Sequence, residues 1–169
     1  MLTIHIKAGN LMNRFMNFSQ AQLKYNTKYF SNATAFIDQG TLNVDMTTIR
    51  ILHYGLRINI ETQHRIDNSK KYQTLFYQDF EMCKVLNEVF RENLIRIWFR
   101  NILKYGNLME NCPVPIGRYY VRNMRLETNG IPAYLRPGDY RMNVNYYYGK
   151  RKTKKEDMVF LLVVDMRFF

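Results

Sequence analysis

Strict alternation of apolar and polar residues is the feature that most limits how this chain can fold. From position 56, Leu56, Ile58 and Ile60 alternate with Arg57, Asn59 and Glu61. From position 140, Tyr140, Met142, Val144, Tyr146 and Tyr148 alternate with Arg141, Asn143 and Asn145. Successive side chains of a strand point to opposite sides, so a period of two gives each segment one apolar face that another layer must cover. The stretch "DMVFLLVVDMRFF", residues 157–169, is continuously apolar and rich in β-branched residues, as in a strand covered on both faces. Five weaker candidates, "FSQAQLKYN", "ATAFID", "TLNVDMTTIRI", "YQTLFYQDF" and "GRYYVRNMRLE", bring the number of strands to about eight.

Only residues 84–105 read as helical. There Asn93 can cap, Leu94, Ile97, Trp98 and Ile102 share a face, Arg96, Arg100 and Lys104 share the opposite one, and Gly106 can close the C-terminus. Strands without repeated βα alternation predict an all-β chain, an antiparallel sandwich or barrel with this one helical insertion. A length of 169 residues suits one domain. We assign residues 1–14 to a poorly ordered N-terminal extension and 15–169 to the domain. A hydrophobic share of 47% is too high for disorder, and no apolar run approaches the ~20 residues that cross a bilayer.

Functional signatures are few. The chain has no glycine-rich nucleotide loop and no C-x-x-C, and its histidines, His5, His53 and His64, stand in unrelated stretches. The group His64, Asp67 and Ser69 in "HRIDNSKK" reads as a polar turn between strands. Neither a metal, a cofactor nor an enzymatic centre is expected. The net charge of +11 favours polyanions in general. Five basic residues in "GKRKTKKED", 149–157, fit a solvated hairpin tip or attraction to an anionic surface. Lys7 and Arg14 interrupt the first twenty residues, which also lack a small-residue cleavage site, so they do not read as a signal peptide and taken alone predict a cytosolic chain. Cys83 and Cys112 are the only cysteines. If the helix is confined to 94–105 they can meet and close a loop of about 29 residues, but the residues alone favour two buried thiols in a chain that reads as cytosolic.

Several stretches together resemble a known family. "YQTLFYQDFEMCKVL", a helix, "NLMENCPVPIGRYYVRN" and then "IPAYLRPGDYRMNVNYYY" are similar to arthropod secreted proteins of unknown function, related to the ganglioside-activator and ML lipid-recognition superfamily. The resemblance spans roughly residues 15 to 169. It rests most on Cys83 before the helix, Cys112-Pro113 after it, and Pro137-Gly138-x-Tyr140 opening a strand. It implies an immunoglobulin-like β-sandwich, a cavity between the sheets for a lipid or other hydrophobic ligand, no catalysis, export from the cell, a chemosensory role in some members, and a Cys83–Cys112 disulfide. The chain departs from the pattern in having no cysteine within residues 1–82 and in carrying Glu81 where an aspartate is more usual.

Combined with the alternation, the resemblance makes Leu56, Ile58, Ile60, Met142, Val144 and Tyr146 the candidate walls of a ligand pocket. The expected partner is a hydrophobic small molecule or lipid, with an anionic membrane surface or a receptor as further partners. The alternative is a basic β-barrel that stacks nucleic-acid bases on exposed aromatics. Strict alternation argues against it, because only Tyr147 of the 146–148 run would then face outward.

Overall fold

Each alternating segment becomes a strand, and the strands divide between two layers. The computed structural model describes residues 16–87, 94–126 and 134–169. The extension expected over 1–14 and the cap expected at Asn93 lie outside them, as does the side chain of Arg96. In chain order the elements are β1 (Met16–Tyr25), β2 (Phe30–Asp38), β3 (Thr41–Thr48), β4 (Arg57–Arg65), β5 (Tyr72–Glu81), α1 (Met82–Asn87), α2 (Leu94–Leu103), β6 (Arg118–Met124), β7 (Gly138–Tyr148) and β8 (Asp157–Phe168). One sheet has the order β1-β8-β7-β4-β5 and the other β2-β3-β6, with every pair antiparallel. This is an all-β sandwich of the immunoglobulin-like kind. Among the described residues the sheets do not close into a barrel, which corrects that alternative.

Sequence and structure differ at the end of β3 and at the close of α2. "TLNVDMTTIRI" reads as one strand to residue 51, yet β3 stops at Thr48. Past that point the backbone leaves the ladder, and the Ile49 N–H donates to the Tyr29 carbonyl at 2.8 Å. Within the helical insertion the described residues form α1 and α2. Gly106 does not terminate α2 with a left-handed cap. It forms a bridge to Val121, where the Tyr105 carbonyl accepts from the Arg122 N–H (2.9 Å) and the Asn107 N–H donates to the Tyr120 carbonyl (3.1 Å). A short strand is thereby laid on the free edge of β6.

The inward faces form one apolar core. Phe30 of β2 meets both Tyr25 and Phe160 edge-on, at 6.3 and 5.9 Å between ring centres, tying the smaller sheet to β1 and β8. A bulge at Ser19 shifts the alternation of β1, so that Phe18 is followed inward by Ala21, Leu23 and Tyr25. Beside one another, β1 and β2 close the sandwich along one side. The opposite edges, β5 and β6, are not joined in this way, and the chain from 82 to 117 connects them instead.

Candidate functional site

The larger sheet presents one cross-strand row toward the smaller that is not sealed. Leu23, Leu162, Val144, Ile60 and Gln78 are successive partners across β1, β8, β7, β4 and β5, and all five are partly exposed. In a filled sandwich the inward positions of the central strands are the most deeply buried. The row on one side obeys that rule, Phe160, Tyr146 and Ile58 being only 4–6% exposed, whereas in the row on the other side Val164 alone is sealed. Met142, beside Val164, is again partly exposed.

The six residues singled out from sequence therefore fall into two groups. Ile60, Met142 and Val144 lie in or next to the unsealed row, whereas Leu56, Ile58 and Tyr146 belong to the sealed core. Leu56 sits just before β4, where its carbonyl accepts the Met82 N–H at 2.8 Å. Tyr146 stacks on Phe160 with 4.2 Å between ring centres. Burial raises its phenol pKa well above the ordinary tyrosine value, so the group keeps its proton. Further along the inward face of β4, Thr62 Oγ1 and His64 Nε2 are buried without a hydrogen-bond partner among the described residues.

The two cysteines form a disulfide, with 5.4 Å between their Cα atoms, and Cys83 is completely buried. Glu81 organises the staple. Its carboxylate accepts from the backbone N–H groups of Cys83 (3.2 Å) and Lys84 (2.6 Å) at the start of α1, and from that of Gly55 (3.2 Å) across the chain. The carboxylate thus satisfies helix-end donors that would otherwise lack a partner. Beyond Cys112 the peptide to Pro113 is cis, and Val114 exchanges two backbone hydrogen bonds with Leu52.

The outer face of the larger sheet is more enclosed than alternation implies. Tyr147, expected to be the exposed ring, is only 2% exposed. A register shift between Tyr146 and Tyr147 precedes it, and its hydroxyl donates to Asp79, which also pairs with Arg57 at 2.6 Å. Burial, and then the Asp79 carboxylate, raise the Tyr147 pKa. Asn59 and Asn145, neighbours across β4 and β7, are also buried. Part of their cover is the β7–β8 hairpin, residues 149–156. The Arg151 guanidinium lies 5.8 Å from the Tyr77 ring on β5, and Glu156 accepts from the Asn145 side-chain amide at 3.4 Å.

The basic tip is consequently not uniform. Lys150, Lys152, Lys154 and Lys155 are exposed, but Arg151 leans over the sheet. Replacing the four lysines by serine should leave the urea midpoint unchanged, while Arg151→Ser should cost about 0.5–1 kcal/mol through the lost cation–ring contact. Equal effects from the two variants would mean that Arg151 is as solvated as the lysines.

A second concave feature lies at the hairpin end. Lys28, Tyr29, Ile49, Arg50, Ile51, His53, Ile116 and Tyr148 line an open groove of about 580 Å³. Tyr148 lies against Tyr29 with 5.9 Å between ring centres, and burial pushes its pKa up to about 12. Asp157 accepts from the Tyr29 hydroxyl and from Lys28 (2.9 Å), and these bonds hold its carboxyl below the usual carboxylate range. Sequence reading missed this groove because "TIRI" fits the end of a strand. Arg50 between Ile49 and Ile51 fits the alternation of a half-buried strand, so nothing local marked the groove.

Taken together, these features define a disulfide-stapled antiparallel β-sandwich whose sheets are closed along one side and bridged by helices along the other. The chain belongs to the family described as "Protein of unknown function (DUF1091)", which matches residues 58–142, from β4 through the disulfide and both helices into β7. No curated protein matches the chain.

Proposed function

We propose that the protein is a non-enzymatic carrier or sensor that takes a lipid or other hydrophobic ligand between its two sheets. The observation that supports this most is the unsealed row Leu23, Leu162, Val144, Ile60, with Met142 beside it. Apolar side chains on central strands that remain partly exposed on their inward face have surface left for a ligand to cover. Transferring an acyl chain from water onto such a surface gains ~0.8 kcal/mol per CH₂ and requires few polar contacts. The side between β5 and β6, spanned by the disulfide-tied segment, is the route of entry.

The disulfide is compatible with an exported protein, since such bonds persist in oxidising compartments. Relationship to the ML lipid-recognition superfamily, extracellular transport and a part in chemosensory perception extend the same reading. The nucleic-acid reading has less support, because Tyr147, the ring it needed on the surface, is buried and bonded to Asp79.

Val144→Trp tests the pocket. A filled core would be overpacked and lose about 1–3 kcal/mol. With room in the unsealed row, the variant should melt close to wild type while taking up a long-chain fatty-acid probe more weakly, because the added ring occupies ligand volume. A large loss of stability, or wild-type protein that takes up no hydrophobic probe, would sink the proposal.

A further inference from the structure

The hairpin end of the sandwich carries a surface that binding between the sheets does not use. Chain from the β1–β2 turn, the β3–β4 loop and the segment preceding β6 meets there around the open groove. Three isoleucines stand on it in water: Ile49, Ile51 and Ile116 are 46%, 43% and 59% exposed. Tyr54, in the same β3–β4 loop, is 59% exposed. Single exposed apolar residues are ordinary, but three large aliphatic side chains gathered around one groove form a patch of the kind that marks an interaction site.

Charge narrows the choice of partner. Lys28, Arg50 and His53 line the groove together with the isoleucines, and none of its lining residues is acidic. The hairpin that follows Tyr148 adds Lys150, Lys152, Lys154 and Lys155, all exposed. Asp157, the nearby carboxylate, is already engaged by Lys28 and Tyr29. Aliphatic side chains bordered by cations, with an exposed tyrosine alongside, match a bilayer surface that offers acyl chains below a layer of negative headgroups. We propose that this end of the protein docks onto anionic membranes, with Ile49, Ile51 and Ile116 entering the headgroup boundary and the lysines and Arg50 facing the lipid charge. This rests on the end surface alone and stands whether or not the inter-sheet row holds a ligand.

Vesicle sedimentation with the intact, oxidised protein provides the test. Vesicles of phosphatidylcholine with about a third phosphatidylserine should bind the protein at least about tenfold more tightly than phosphatidylcholine alone, and added salt should weaken the binding. Replacing the three isoleucines together (Ile49→Ser, Ile51→Ser, Ile116→Ser) should reduce binding to the charged vesicles about tenfold or more. Leu75→Ser, at an apolar position on β5 that is 51% exposed, should change nothing. Both natural cysteines are bonded to each other, so Ile116→Cys can carry an environment-sensitive dye at a single site. Its emission should shift to the blue only with the charged vesicles. Absence of binding, equal binding by the isoleucine and Leu75 variants, or a dye that stays in water would each overturn the proposal. So would sedimentation as a dimer that the isoleucine changes dissociate, which would make the patch an interface between two copies of the chain.

Discussion

Gly106→Ala removes about 3 kcal/mol or more of stability, a loss that unfolding in urea will report. At the bridge to Val121, a Cβ on residue 106 would lie 1.8 Å from the Tyr120 carbonyl oxygen, 2.7 Å from its carbon and 3.1 Å from the Val121 Cα. These are backbone atoms of β6, whose other side is held in register by β3. They cannot rotate aside as a side chain would. The chain around 106 must withdraw, giving up the hydrogen bonds that Tyr105 and Asn107 make with β6, each worth about 1 kcal/mol, in addition to the strain of overpacking. Gly117→Ala is the control. Its added Cβ would meet nothing closer than the Tyr119 hydroxyl at 4.0 Å, so its cost should stay below about 1 kcal/mol. If the two alanine variants unfold together, the strand at 105–107 is not paired to β6 as described.

Loss of the Cys83–Cys112 bond should have an effect of similar size. The bond links positions 29 residues apart, and in the chain-entropy account removing such a restraint from the unfolded ensemble costs about 3–4 kcal/mol. Replacing buried Cys83 adds the cost of the space it filled. The paired variant Cys83→Ala with Cys112→Ala and the chemically reduced wild type should therefore both unfold at much lower urea concentrations than the oxidised protein. Thiol titration of the unreduced, denatured chain should find almost no free thiol. Two reactive thiols, or identical unfolding curves with and without reductant, would contradict the bond.

Much of this architecture was legible because it is local. A period of two at Ile58 and Ile60 and at Met142, Val144 and Tyr146 reports directly which face a strand buries, and both segments became central strands of the larger sheet. What the sequence concealed was long-range. Tyr147 and Asn59 sit on the polar side of their strands, yet both are buried and bonded to β5, Tyr147 to Asp79 and Asn59 to the Gln78 carbonyl, and no pattern within either strand reports those partners. Ile49 and Ile51 looked like strand residues because apolar type says nothing about whether a neighbouring strand remains in reach. Periodicity likewise assigned Ile60 and Ile58 to the same face, but it could not indicate that one would be left partly exposed and the other sealed.

The disulfide has a mechanical consequence as well. It ties the chain just after β5 to the chain leading into β6, and so fixes how far those two edges can separate at the α1 end. Along the far side, β1 lies against β2 and acts as a pivot. Any breathing of the layers is therefore a wedge, narrow near Cys83 and Cys112 and widening toward the Tyr72 end of β5 and the Met124 end of β6. For the ligand proposed above, such a wedge would exclude a rigid, bulky guest from the narrow end and let a slender chain thread its full length, so the staple would act as a gauge of thickness as well as a source of stability.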